Sequence, residues 1–129
     1  METGMALVTL DETITISLSV TDRKASAMWY SEKLGFEILY DVDEIGWCEM
    51  STNAKGVSLG LGEQAEASPG NSVPVFGTHD IVTARSALES AGVRFDGETM
   101  KIDGMVMLAT FYDPDENALM LAQDLTRYP

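Results

Sequence analysis

The same succession of elements occurs twice along the sequence, about 57 residues apart, and this internal repeat restricts the fold more than any other feature. In each copy a strand-like segment leads into a helix that an aspartate can cap and a glycine can end. These residues are Asp22 and Gly35 in the first copy, and Asp80 and Gly92 in the second. Three more strand-like segments follow the first helix, and short segments at 93–95, 100–102, 105–112 and 118–124 follow the second, which is interpreted as the same βαβββ order. The repeat predicts an α+β fold of two βαβββ modules with a pair of curved sheets.

Turn signals and composition set the expected module boundaries. The first module is predicted at about 13–62 and the second at about 72–124. Between them, residues 63–71 are poor in large apolar side chains and contain Pro69 and Gly70, as is typical of a linker. Because 129 residues suffice for one core, the chain is interpreted as a single domain, 1–129.

The first strand has two chemically different faces. Over residues 13–20 every even position is aliphatic and every odd position carries a hydroxyl group, among them Thr15, Ser17 and Ser19. One face therefore belongs against a core. The other is polar without being charged, which suits the wall of a wet groove.

The charge balance restricts the partners of this chain. It has 21 Asp and Glu against 8 Lys and Arg, a formal net charge of −13 that is spread over both halves. Nucleic acid and anionic lipid surfaces are repelled by such a surface, because phosphate binding needs clustered Lys and Arg. Cationic small molecules are attracted to it. We therefore expect a small-molecule ligand and no nucleic acid or membrane partner.

No segment suggests export or membrane insertion. The longest uninterrupted apolar runs, 105–109 and 118–122, are far shorter than the roughly 20 residues needed to cross a bilayer. The first residues lack the basic and apolar pattern of a leader, so a cytoplasmic protein is expected. Cys48 is the only cysteine, so an intramolecular disulfide and a multi-thiolate zinc site are excluded.

Two motifs carry a resemblance to a known family. Residues 20–36 contain Val-x-Asp, then Ser-x-x-Trp-Tyr and Leu-Gly-Phe, and residues 113–117 read Asp-Pro-Asp-Glu-Asn. In this order, on a βαβββ repeat, they resemble the vicinal oxygen chelate superfamily, which includes glyoxalase I, extradiol dioxygenases, fosfomycin-inactivating thiol transferases and bleomycin-resistance proteins. The resemblance implies a cleft between paired modules. Glu116 replaces the glycine that the family favours, and we expect Asn117 to supply the left-handed backbone of this turn.

The resemblance also implies where a metal would be held. Most enzymes of this superfamily bind a divalent cation through His, Glu or Gln at positions that correspond here to Thr15, Val73 and Met120. A fourth position lies on the strand at 57–61, which carries no carboxylate. A hydroxyl, an isopropyl group and a thioether cannot replace imidazole and carboxylate ligands. We therefore predict no metal and no other cofactor.

A set of polar, aromatic and apolar strand residues is predicted to line the cleft. Eight Met in the chain would give a soft wall suited to a flat apolar ligand, although Met and aromatic residues in strands are equally typical of a core. The predicted ligand-binding residues are Thr15, Ser17, Trp47, Met50, Leu59, Val73, Val75, Met107, Phe111 and Met120.

No residue is predicted to be catalytic, although two groups keep catalysis open. His79 is the only histidine and precedes the capping Asp80, which is typical of a solvated loop but also of an acid–base pair. Glu49 is a carboxylate that can face the cleft. Cys48 is interpreted as a core residue, since an acidic chain does not activate a thiolate.

The preferred hypothesis is a metal-free binding protein that sequesters a partly apolar ligand able to carry a positive charge, in the manner of bleomycin-resistance proteins. The resemblance further implies a homodimer with a shared groove. The first alternative is an enzyme, a divergent glyoxalase-like lyase or isomerase or a dioxygenase, using unusual ligands, His79 or Glu49. The second alternative is a protein-interaction module.

Overall fold

A computed structural model describes residues 11–70 and 72–129. The first module contains five regular elements: β1 (Ile14–Val20), α1 (Arg23–Leu34), β2 (Ile38–Val42), β3 (Trp47–Ser51) and β4 (Val57–Glu63). The second module contains six: β5 (Val75–Gly77), α2 (Ile81–Ser90), β6 (Arg94–Phe95), β7 (Met100–Ile102), β8 (Val106–Tyr112) and β9 (Ala118–Asp124). No helix in the described ranges is long and apolar enough to span a membrane.

Each module folds into its own sheet, and the two sheets have matching strand orders. The first sheet runs β1-β4-β3-β2, with β1 parallel to β4 and the other pairs antiparallel. The second runs β5-β9-β8, and both β6 and β7 pair with β8 on its far side. Because β6 and β7 together occupy the place of β2, the second module is a βαβββ unit with one interrupted strand. The predicted α+β fold of two βαβββ modules is confirmed.

The predicted helix caps are present. Asp22 accepts a hydrogen bond from Ala25 N at 3.0 Å at the start of α1, and Gly35 ends that helix with φ of 75°. In the second module Asp80 accepts from Thr83 N at 3.1 Å. These aspartates satisfy backbone N–H groups that have no partner within the helix, which explains why both helices begin where they do.

Alternation along the strands divides each sheet into a buried face and an open face. Helices α1 and α2 pack against the buried faces, and the two modules share one core. Its largest fully buried members are Tyr30, Phe111, Met50, Leu59, Leu61, Ile81 and Leu119. The side chains at intervening strand positions point away from the helices.

The turn at 113–117 joins the two modules. Asp113 accepts hydrogen bonds from the backbone N–H groups of Asp115 at 2.9 Å and Asn117 at 2.8 Å, and from Tyr30 Oη of α1 at 2.8 Å. The Asn117 side chain donates to the backbone oxygen of Ser19 at 2.8 Å. This Asp-Pro-Asp-Glu-Asn motif therefore connects the end of β1 to the closing hairpin of the second module.

One expectation about this turn is wrong. Glu116, and not Asn117, has a left-handed backbone, with φ of 67°. Asn117 is instead buried, where its amide bridges Asp113 and Ser19. Asn117 tolerates a positive φ better than Glu116 does, but its side chain is used for hydrogen bonding, and Glu116 adopts the positive φ instead.

Candidate functional site

The open face of the first sheet carries small polar side chains, one carboxylate and one indole. Cross-strand pairing places Thr15 beside Ser58, Ser17 beside Gly60, and Ser19 beside Gly62. On the next strand Glu49 pairs with Gly60, and Trp47 pairs with Gly62. These residues point away from the helices, so the hydroxyl-bearing side of β1 continues into a polar surface across β4 and β3.

Trp47 lies against the backbone of β4 at a place where only glycine fits. A Cβ atom on Gly60 would be 2.9 Å from Cε2 of Trp47 and closer still to Cζ2 and Cη2. On Gly62 it would be 3.6 Å from Cζ3, which is ordinary van der Waals contact. The absence of a side chain at Gly60 therefore lets the indole rest on the open face, and Trp47 remains partly exposed there.

Glu49 is the hydrogen-bond centre of this face. Its Oε1 accepts from Tyr40 Oη at 2.8 Å and from Trp47 Nε1 at 3.0 Å, and its Oε2 accepts from Ser58 Oγ at 2.8 Å. Partial desolvation favours the neutral acid, but the hydrogen bonds led by those from Ser58, Trp47 and Tyr40 outweigh it and hold the pKa of Glu49 below its ordinary value. The carboxylate is therefore charged at neutral pH.

A groove of about 460 Å³ opens beside this carboxylate. Its lining includes Thr15, Glu49 and Ser58 from the open face, Leu39 from β2, and residues of the loop at 52–56. Its volume falls in the range that drug-sized ligands occupy. The groove therefore combines a charged acceptor and two hydroxyl groups.

The linker borders a second, smaller groove of about 220 Å³. Ser17 and Ser19 line it from β1, and Ser68 and Gly70 line it from the linker. Ser68 N donates to Ser19 Oγ at 2.8 Å, which holds the linker next to the polar edge of the first sheet. Ser17 and Thr15 thus lie on the same open face but in different grooves.

The open face of the second sheet is mostly apolar. Val75 pairs with Met120, and Leu108 lies between Ala122 and Met100. Val73, just before β5, lines a groove of about 350 Å³ with Arg94 and Tyr112, whose guanidinium and ring are 4.4 Å apart. The two modules therefore present open faces of opposite character, polar in the first and apolar in the second.

Four predicted lining residues are on the wrong side of their strands. Met50, Leu59 and Phe111 are 0 % exposed, in the core beneath the helices, and Met107 packs against that core. Side chains in a strand alternate between its faces, so Met50 cannot share a face with Trp47, which is three positions away. The prediction that these four residues contact a ligand is corrected: they stabilise the sheets from the other side.

The remaining six predicted residues lie on the open faces or directly beside them. Thr15, Ser17 and Trp47 belong to the first module, and Val73, Val75 and Met120 to the second. Prediction from sequence missed Tyr40, Ser58 and Gly60, and assigned Glu49 only to a catalytic alternative. A signal was available: Trp-x-Glu on β3 lies opposite Gly-x-Gly on β4, where the large side chains need the space that glycines leave.

Neither His79 nor Cys48 lies on this polar face. The His79 ring stacks on Tyr128 near the chain terminus, with ring centroids 4.1 Å apart. Cys48 is buried, and burial raises the pKa of its thiol, with Asp41 contributing in the same direction. Both observations agree with structural roles for these two residues.

The donor atoms available do not fit the metal that the family resemblance implies. Thr15, Val73 and Met120 offer a hydroxyl, an isopropyl group and a thioether, which are poor ligands for a divalent cation. In residues 11–70 and 72–129, no three His, Cys, Asp or Glu side chains are grouped so that they could hold a metal ion. The partners that hold the Glu49 carboxylate are neutral donors, the hydroxyl groups of Tyr40 and Ser58 and the indole N–H of Trp47.

A family model decides the classification. The model of the glyoxalase/bleomycin resistance protein/dioxygenase superfamily matches residues 12–121, which include both modules. The chain belongs to this superfamily. Superfamily membership agrees with the sequence motifs and with the paired βαβββ modules, and it leaves the reaction or ligand open, because one fold serves many functions.

Solved structures of this superfamily have the same fold. A member from Sphaerobacter thermophilus DSM 20745 superposes with a TM-score of 0.77 at 20% identity, covering 89% of this chain and 98% of that one. TnmS3, described as an antibiotic binding protein from Streptomyces sp. CB03234, gives 0.71 at 24% identity, covering 91% and 98%. A glyoxalase/bleomycin resistance protein from the same Streptomyces gives 0.66 at 26% identity, covering 84% and 97%. No curated protein matches the sequence.

Proposed function

We propose that this superfamily member binds and sequesters a partly apolar organic molecule on its open faces, without a metal ion. The observation that carries this proposal is the Trp47 indole lying against Gly60 on the open side of β4. An aromatic ring held flat by the backbone behind it offers its other face to a planar ligand at little entropic cost.

The chemistry of the two open faces supports an organic ligand. Thr15 and Ser58 offer hydroxyl groups and Glu49 a charged acceptor, while Val75 and Met120 provide apolar area on the second module. A few placed polar groups beside apolar surface are typical of small-molecule sites. The proposed mechanism is stoichiometric binding, in which the apolar residues supply affinity and the polar ones orient the ligand.

The description of TnmS3 as an antibiotic binding protein suggests which compounds to test first. Calorimetric titration with planar aromatic antibiotics should give saturable binding. The matched pair Trp29→Phe and Trp47→Leu separates the two indoles: fluorescence quenching should persist in the first variant, and affinity should fall by about tenfold in the second. Absence of saturation at millimolar ligand, or equal affinity in both variants, would contradict the proposal.

The metal-free part of the proposal has its own test. Elemental analysis of the purified protein should find Ni, Zn, Mn and Fe far below one equivalent, and binding should survive treatment with a chelator. A stoichiometric metal that chelation removes together with binding would favour the enzyme instead.

We also propose a homodimer, whose oligomeric state light scattering can measure. In support, the equivalent edge strands β2 and β7 expose apolar side chains, including Ile38 and Leu39 on the first and Met100 and Ile102 on the second. Covering such edges is a common role of subunit interfaces. A monomer at high protein concentration would contradict this proposal.

A further inference from the structure

Resting on the proposed function, we propose that Glu49 anchors a positively charged nitrogen of the ligand. A protonated amine donates an N–H to Glu49 Oε2 in the groove, while the flat apolar part of the same molecule lies on the Trp47 indole. The ligand class is therefore an aromatic compound with a basic amine attached by a short chain.

A count of hydrogen atoms shows that Oε2 of Glu49 has an acceptor position left. Ser58 has one hydroxyl hydrogen, and its Oγ is 2.8 Å from Oε2. Thr15 Oγ1 lies 2.9 Å from Ser58 Oγ and 3.3 Å from Oε2, so its single hydrogen goes to the nearer serine oxygen. Oε1 then accepts two hydrogen bonds and Oε2 accepts one.

Within residues 11–70 and 72–129, no cationic group pairs with Glu49. In the described ranges the ion pairs involve other carboxylates, with Asp41 and Glu63, for example, sharing Arg23. The residues outside those ranges include no Lys or Arg. The partners of Glu49 are two hydroxyl groups and an indole N–H, all neutral donors. A cationic donor thus gains a charge-assisted bond that a neutral donor cannot match.

Among the described residues that line this groove, Lys55 is the one cation. It forms no ion pair with Glu49, and it lies exposed in the loop at 52–56. A ligand amine therefore does not have to displace an existing protein cation. The net charge of −13 further raises the local concentration of organic cations.

The position of Trp47 sets the shape of the ligand. Trp47 and Glu49 lie on the same face of β3, and Trp47 Nε1 is 3.0 Å from Glu49 Oε1, so the indole begins directly beside the carboxylate. The indole also donates its N–H to the carboxylate, which leaves its ring face electron-rich and suited to a cation nearby. A ligand whose ring lies on the indole therefore needs only a chain of a few atoms to bring its amine to Glu49.

Three probes that differ only in charge test the inference. A planar anthraquinone carrying an aminoalkyl, an acetamidoalkyl or a carboxyalkyl chain is titrated by calorimetry against the wild-type protein. The amine should bind about tenfold more tightly than the amide, the carboxylate should bind more weakly still, and only the preference for the amine should shrink as salt is added.

The variant Glu49→Gln keeps the shape and the acceptor oxygen but removes the charge. It should lose about tenfold in affinity for the amine probe and less than threefold for the amide probe. Glu32→Gln, on α1 behind the sheet, makes the same change in net charge away from the groove and should leave both affinities unchanged. Thermal melts confirm that both variants are folded.

The outcomes separate this inference from the proposed function. Equal wild-type affinity for amine and amide overturns the cation site, while the binding function stands. Equal losses for both probes in Glu49→Gln also overturn it, because Glu49 would then act only by positioning Trp47. If none of the three probes binds, the proposed function fails in its planar-ligand form, and the cation site fails with it.

Discussion

Gly60→Ala tests directly whether the indole on the open face depends on a missing side chain. The added methyl group would lie 2.9 Å from Cε2 of Trp47 and closer to two other ring carbons, so the indole has to move. Moving it breaks the 3.0 Å hydrogen bond from Trp47 to Glu49, and a hydrogen bond to a charged group is worth about 1.5–3 kcal/mol.

Two further contributions have opposite signs. Overpacking typically costs about 1–3 kcal/mol, while replacing a strand glycine by alanine recovers about 0.5–1 kcal/mol of backbone entropy. Because the displaced ring can move into solvent, most of the overpacking cost is avoided. The lost hydrogen bond then outweighs the entropy gain, and we expect the free energy of unfolding to fall by about 1–2 kcal/mol. Urea unfolding followed by circular dichroism measures it, and the emission of Trp47 in a Trp29→Phe background should shift to the red.

The matched control is Gly62→Ala, on the same strand and beneath the same ring. Its methyl group would be 3.6 Å from Trp47 Cζ3, an ordinary contact, so the emission should stay close to wild type and the free energy of unfolding should rise by up to about 1 kcal/mol. In addition, Gly60→Ala should cost little once Trp47 has already been replaced by leucine, because the clash is then gone. The reasoning is refuted if both alanine variants behave alike, or if the cost persists in the double variant.

Three other results are expected from residues away from the groove. Glu116→Gly should stabilise the protein by up to about 1 kcal/mol in urea unfolding, since glycine removes the left-handed strain; a loss of stability would mean that the exposed ion pair of Glu116 matters more. Tyr30→Phe should lower the free energy of unfolding by about 1–3 kcal/mol, because it takes a donor from the buried carboxylate of Asp113; a neutral result would show that water replaces the phenol. The hydrogen bond from Arg23 holds the pKa of Asp41 below its ordinary value, so this stabilisation is present above the unfolded pKa and is lost as pH falls through the lower folded pKa. The urea concentration at the unfolding midpoint should therefore decrease once the pH is lowered below about 4. This decrease should be smaller in Arg23→Gln; if wild type and variant lose stability in parallel, the Arg23–Asp41 pair does not cause the loss.

Local signals account for the features that sequence reasoning predicted well. An aspartate directly before a helical pattern predicts an N-cap, as Asp22 and Asp80 do here, and Gly35 predicts a left-handed helix end. The alternation over β1 predicted which of its side chains belong in a core, because its two faces differ sharply in chemistry. The repeat of these signals was enough to predict two βαβββ modules.

The same reasoning failed where an apolar strand residue could belong either to a core or to a cleft. On β3, Trp47 faces outward and Met50 inward, and hydrophobicity alone does not say which of them meets the helix. Leu59 and Phe111 were misplaced for the same reason. Their faces depend on strand pairing and helix position, which are tertiary properties. Glu49 is central because its three donors, and Thr15 behind Ser58, come together from four strands, an arrangement that linear spacing does not show.

The hydrogen bonds around Asp113 have a consequence for dividing this chain into parts. Tyr30 is fully buried, and its phenol needs a carboxylate that the other half supplies, while Ser19 receives an amide donor from the same hairpin. Cut at the linker, each fragment would leave apolar surface and polar groups of the shared core exposed to water. Fragments made separately should therefore be poorly soluble alone and should regain native circular dichroism when mixed. For the same reason the intact chain should melt in a single transition.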